Sequence, residues 1–126
     1  MIEILGEDLN FDRDQVMKMA TPFGGGVARW GMICGTLIGG AMVLGFFYGR
    51  TKAEEKEKRE ETYAKVQEML REFEKDFGSV QCKNLIQLNL LDPADRQKYQ
   101  EMRVINRCSR FVAKSVESAR RLLKEK

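Results

Sequence analysis

Histidine is absent from all 126 residues. That single absence excludes histidine-based triads, histidine general bases, a His-ligated zinc site and haem attachment through a CxxCH motif. Any metal would have to be held by thiolates, carboxylates or an external ligand. Proline is almost absent too: Pro22 and Pro93 are the only two, which leaves long windows open to helix. Dense runs of Val, Ile and Thr are few, so strands have little support. The excess of one charge sign is small. The 22 Lys and Arg are interleaved with 19 Asp and Glu, for a net charge of +3, as on solvated helix faces. No basic stripe carries interleaved aromatics, so nucleic acid is not an expected partner. The three cysteines, Cys34, Cys82 and Cys108, contain no CxxC. Their odd number argues against a closed disulfide scaffold of the secreted type. The stretch Met1–Asp8 is acidic and has no basic region followed by an apolar core. It does not read as a signal peptide, and the cytoplasm is the expected compartment.

What is present is a glycine-rich apolar run. Gly24-Gly25-Gly26 is followed by a stretch without charge from Trp30 to Gly49, flanked by Arg29 and Arg50. Twenty uncharged residues satisfy the length rule for a membrane span. Gly31, Gly35 and Gly39 add the small-xxx-small spacing of packed membrane helices, and Trp30 and Tyr48 stand at its ends. A single-pass membrane protein spanning about 30–49 is therefore one reading. The preferred reading is a buried central helix over about 27–49. Several apolar faces elsewhere in the chain need a core to pack on, and this helix supplies it. A helix-interior glycine costs roughly 1 kcal/mol against alanine, so Gly31, Gly35 and Gly39 imply a close backbone approach by a neighbour.

The rest of the chain reads as further helices within one domain over 1–126, with 1–11 a loosely attached start. Asp12 and Gln15 form a capping-box pattern for a short helix ending near Ala20. A long helix is expected from near Thr51 to Phe77, stopped by Gly78. Its charged first half, Glu54 to Glu61, projects into water. Tyr63, Val66, Leu70, Phe73 and Phe77 form its apolar seam. Ser79 reads as the N-cap of a short helix carrying Cys82 in its first turn, where free backbone N–H groups and Lys83 would favour the thiolate. A polar segment follows from about Ala94. The last helix, about Val104 to Lys124, has Ile105, Cys108, Phe111 or Val112, Ser115, Ala119 and Leu122 or Leu123 on its inner face. The fold class is all-α, a small bundle of about five helices.

The combination resembles a known family. Phe23-Gly24-Gly25-Gly26, Cys34-Gly35-Thr36-Leu37-Ile38-Gly39, Leu44-Gly45, Tyr48-Gly49, then Phe77-Gly78-Ser79 with Cys82 and Leu85, and finally Cys108, are similar in order to the motifs of the C-GCAxxG-C-C family of redox-active proteins. The resemblance covers about residues 14–123. It implies a small helical prokaryotic protein, and a related domain occurs in split-Soret cytochrome c, where an iron–sulfur centre has been proposed. Carried over by position, Cys34 is the cysteine of the glycine-rich motif, Cys82 and Cys108 are the third and fourth family cysteines, and Gly35 and Gly39 are the motif glycines. Thr36 stands where the family has alanine and brings a hydroxyl that needs a partner. The first family cysteine, expected near or upstream of residue 1, has no counterpart.

The functional expectation is a thiol-based redox protein, or a metal- or iron–sulfur-binding one, using Cys34, Cys82 and Cys108. In the first version the Cys82 thiolate starts thiol–disulfide exchange. In the second the three thiolates ligate an iron–sulfur cluster or zinc, and a four-ligand site would need one more donor. Gly35 and Gly39 would let a cofactor approach the backbone; haem is not expected. A second copy of the chain or a redox partner protein is the expected partner. The reading from a different class is a structural or interaction protein whose thiols are inert core residues.

Overall fold

The computed structural model describes residues 12–124. Six α-helices and one 3-10 turn account for its regular structure: α1 (Arg13–Ala20), the 3-10 turn Thr21–Phe23, α2 (Gly35–Tyr48), α3 (Lys56–Phe77), α4 (Cys82–Ile86), α5 (Pro93–Glu101) and α6 (Ile105–Lys124). The expectation for residues 1–11 lies outside the described residues. Three helices, α2, α3 and α6, pack pairwise on one another and form the bundle.

Local chemistry sets the ends of the elements. The Asp12 carboxylate accepts from the Gln15 amide at 3.2 Å and opens α1, satisfying one of the donors a helix start leaves unpaired. Pro93 stands in the first turn of α5, behind an Asp92 side chain that accepts from the Ala94 amide at 2.9 Å. Gly78 closes α3 in the left-handed region, with φ of 83°, a conformation that costs glycine nothing.

The core forms where the apolar stripes meet. Leu37, Val43 and Leu44 of α2, Met69 and Phe73 of α3, and Phe111, Ala119 and Leu122 of α6 are buried together. Phe73 lies against Phe77 and Phe111, with ring centroids 4.8 and 5.7 Å away. The Tyr48 hydroxyl donates to the Leu122 and Leu123 carbonyls at 2.9 and 3.1 Å, tying the end of α2 to the end of α6. Two residues expected to face inward do not. Ile105 is exposed at the start of α6, and Tyr63 is exposed on α3 beneath the Arg59 guanidinium.

The central helix is shorter than the sequence suggests. It begins at Gly35, so the helix expected over 27–49 loses its first two turns, and Gly31 shares no helix face with Gly35 and Gly39. Gly25 through Arg29 run consecutively in the left-handed region, with φ between 49° and 71°. Gly25 and Gly26 start this turn at low cost, and Val27, Ala28 and Arg29 are carried into it against their own preference. Fourteen residues give α2 a length of about 21 Å, short of the roughly 30 Å of bilayer hydrocarbon. No helix among the described residues is long and apolar enough to cross a membrane, and the single-pass reading fails on that ground. Nor is α2 buried all round, since Phe46 and Phe47 are about half exposed. The glycine-rich helix is nonetheless central. Thr36, Leu37, Gly39, Gly40, Val43 and Leu44 are all buried in it.

Candidate functional site

Cys34, Cys82 and Cys108 come from three separate parts of the chain and line one cleft of about 820 Å³. Its walls are the left-handed turn (Gly24, Gly25, Ala28, Arg29), the start of α2 (Cys34, Gly35, Thr36), α4 (Cys82, Ile86), α5 (Arg96, Tyr99, Gln100) and α6 (Cys108, Val112). All three thiols are free.

Cys34 and Cys82 are placed by backbone pairing. Ile33 and Gln81 form an isolated antiparallel bridge. The Cys34 amide donates to the Val80 carbonyl at 2.8 Å, and the Cys82 amide donates to the Met32 carbonyl at 2.6 Å. Each cysteine therefore stands one residue beyond the bridged pair. Side chains alternate across a paired strand, so both thiols project from the face opposite Ile33 and Gln81. Diagonal neighbours of this kind have Cα atoms about 7–8 Å apart, beyond the disulfide range of roughly 4.4–6.8 Å, so a bond between them requires the two backbone segments to move together.

Glycines hold this corner together. A Cβ on Gly26 would sit 2.6 Å from the Met32 amide nitrogen and 2.8 Å from the Cys82 Cβ. On Gly35 it would sit 2.8 Å from the Phe23 carbonyl oxygen. The close approach expected at Gly35 is thus made by the chain's own backbone. Gly39 is buried farther along α2 and is not among the cleft-lining residues.

The thiols differ in their surroundings. Cys34 is the N-cap of α2. Burial pushes its thiol up, while the Thr36 and Leu37 amides at the helix start pull it down without closing a full hydrogen bond to Sγ. A nearby Cys108 thiolate raises it further, and the net direction is upward. Burial pushes Cys82 up to about 11, with like-charge repulsion from Cys34 and Cys108 adding to it. The expectation that Cys82 would be the activated thiolate is therefore reversed. Its helix has five residues, its N-cap is Gln81 rather than Ser79, and its own amide is spent on Met32. Cys108 lies 3.6 Å from the Tyr99 hydroxyl. Burial and that contact push the Tyr99 phenol up.

These shifts predict an alkaline dependence. At neutral pH Cys82 is held as the thiol, and its alkylation by iodoacetamide should keep rising up to about pH 11, whereas the denatured chain levels off near 9, the ordinary value. Because the folded-state value is the higher one, the stabilisation is complete below pH 9 and is lost between 9 and about 11. The melting temperature should fall across that window, and less in a Cys82→Ala variant. Residue-resolved mass spectrometry and thermal melts at stepped pH check both statements.

Among the described residues, no three cysteine or acidic side chains are grouped to hold a metal ion. The three thiols share a cleft, and the Cys108 sulfur lies against the Tyr99 hydroxyl. An iron–sulfur cluster or a zinc ion does not fit this donor set.

Sequence reading passed over Arg29, Arg96 and Tyr99 as cleft residues. No motif marks them, and the tertiary fold alone brings them to the thiols. Thr36 carried a signal, as a hydroxyl where the family has a methyl. Thr36 is buried at 9% exposure, and its hydroxyl has no hydrogen-bond partner.

A family model described as "Putative redox-active protein (C_GCAxxG_C_C)" matches residues 1–122. No curated protein and no solved structure matches the chain.

Proposed function

Since the chain belongs to the C_GCAxxG_C_C family, we propose that it works by thiol–disulfide exchange, with Cys34 and Cys82 as the exchanging pair. The carrying observation is their diagonal placement across the Ile33–Gln81 bridge, on the wall of one cleft. Cys34 attacks first. It is the more exposed of the two, and the amides at the start of a 14-residue helix offset part of the burial that raises its thiol. Its sulfur displaces one thiolate from a substrate disulfide and forms a mixed disulfide. The Cys82 thiolate then attacks the Cys34 sulfur and releases the second substrate thiolate. The substrate gains two electrons and the protein ends with a Cys34–Cys82 bond. An external dithiol, such as that of a redox partner protein, returns the pair to thiols, which suits a reducing compartment such as the cytoplasm. The high value held by Cys82 keeps its thiol protonated until a proton acceptor or the substrate's leaving thiolate takes the proton.

The test is a disulfide map. Reduced protein is oxidised with a mild disulfide, quenched with acid, alkylated and digested. The expected product is a Cys34–Cys82 peptide pair with Cys108 alkylated. A pair that includes Cys108 would reassign the partner thiol. Three alkylated cysteines after oxidation would sink the reading.

A further inference from the structure

The cleft has a chemical bias that the thiols alone do not explain. Two guanidinium groups, Arg29 and Arg96, stand on its walls, and no aspartate or glutamate lines it. Neither arginine is paired with a carboxylate among the described residues, although Arg96 is partly buried. An unpaired cation with restricted access to water is costly, and an anion is its natural complement. The cleft is also where α2 begins. That helix start presents unpaired N–H groups and the positive end of the dipole, and Cys34 closes no capping hydrogen bond onto it.

Size narrows the class further. About 820 Å³ falls within the roughly 300–1,000 Å³ of small-molecule sites. The apolar part of the wall, with Ile86, Leu90 and Val112, suits a short carbon chain between a sulfur and an anionic end.

We propose that the substrate of this cleft is a low-molecular-weight disulfide bearing anionic groups. Its negative end is held by Arg96 and Arg29, and this places a disulfide sulfur before Cys34. The proposal rests on the exchange reading above and names its substrate class. One substrate disulfide accepts two electrons from the Cys34 and Cys82 thiols, giving two small thiols and the protein disulfide. The anionic groups are not altered.

Three symmetrical disulfides of similar length test it: 3,3′-dithiodipropionate (anionic), 2-hydroxyethyl disulfide (neutral) and cystamine (cationic). Each is mixed with the reduced full chain at low ionic strength. Formation of the protein disulfide is timed by acid quench and mass spectrometry, and every rate is divided by that of the denatured chain with the same compound. The corrected rate for the anionic compound should exceed that for cystamine by at least about tenfold, a gap that steering and binding by charge readily supply. Arg96→Gln should collapse the ratio, and Arg71→Gln, outside the cleft, should keep it. Equal corrected rates would overturn the anionic class and leave the exchange reading standing. If no disulfide oxidises the pair, the exchange reading is overturned, and a second measurement decides the anion site. The thioether 3,3′-thiodipropionate cannot exchange. It should raise the melting temperature of the chain and fail to do so with Arg96→Gln. No shift in the unsubstituted chain would overturn the anion site on its own.

Discussion

Replacing Cys34 with serine is expected to abolish formation of the protein disulfide, lowering its rate by at least about 100-fold, because a hydroxyl does not ionise near neutral pH as a thiol does. The companion Cys82→Ser should behave differently. It keeps the first nucleophile and loses the second, so the reaction halts at a mixed disulfide on Cys34. That adduct is visible as a single mass increment and is released by dithiothreitol. Cys108→Ser should still form the Cys34–Cys82 bond. Its removal also takes away the thiolate that raises both neighbours, so the alkaline rise in reactivity should begin at lower pH. Melting curves of all three variants separate loss of chemistry from loss of fold. An unchanged rate in Cys34→Ser would require a different first nucleophile. A Cys82→Ser variant that went on to a bond with Cys108 would show that the third thiol can resolve the adduct.

Phe73→Ala is expected to have the largest effect on stability. Phe73 is 1% exposed, and it is the largest of the fully buried side chains. It sits in α3 where α3 meets α2 and α6, with Phe77 and Phe111 against its ring. Truncation to alanine removes the transfer energy of a phenyl ring and leaves a cavity that a three-helix junction cannot readily collapse, at a cost of about 3–5 kcal/mol. For a chain of this length that corresponds to a fall of roughly 10–20 °C in melting temperature. Tyr63→Ala on the same helix serves as the contrast. Tyr63 is 53% exposed, and its loss should shift the midpoint by only a few degrees. A small shift for Phe73→Ala would mean that the packing of α3 against α6 is looser than its buried rings imply. Thermal and denaturant unfolding with matched slopes checks both variants.

Much of this fold could be read from local pattern. The periodic seam of α3 and the glycine that stops it follow from helix geometry and from the left-handed conformation Gly78 adopts at 83°. The inner stripe of α6, with Phe111, Ser115, Ala119 and Leu122, was legible for the same reason, and all four are buried. Helix caps also depend on neighbours a few residues away, which is why Asp12 was found correctly. The error in the central helix has a specific cause. An uncharged run from Trp30 to Gly49 reads as continuous helix because hydropathy carries no information about φ. The Gly24–Gly26 triplet sends the chain into a left-handed turn that persists through Arg29, and regular helix resumes only at Gly35.

The sequence by itself determined the all-α class, the seams that form the bundle, the family membership and the three thiols as the only distinctive chemistry. Each of these is written in residue types at short spacings. Only the tertiary structure set the surroundings of each thiol. Helix position alone pointed to an activated Cys82, but burial and like-charge neighbours push it up to about 11, and burial raises Cys34 as well. It also decided that Arg29, Arg96 and Tyr99 line the cleft that holds those thiols. Desolvation and electrostatics depend on what lies nearby in space, and residues as distant in the chain as Thr21 and Val112 line one cleft.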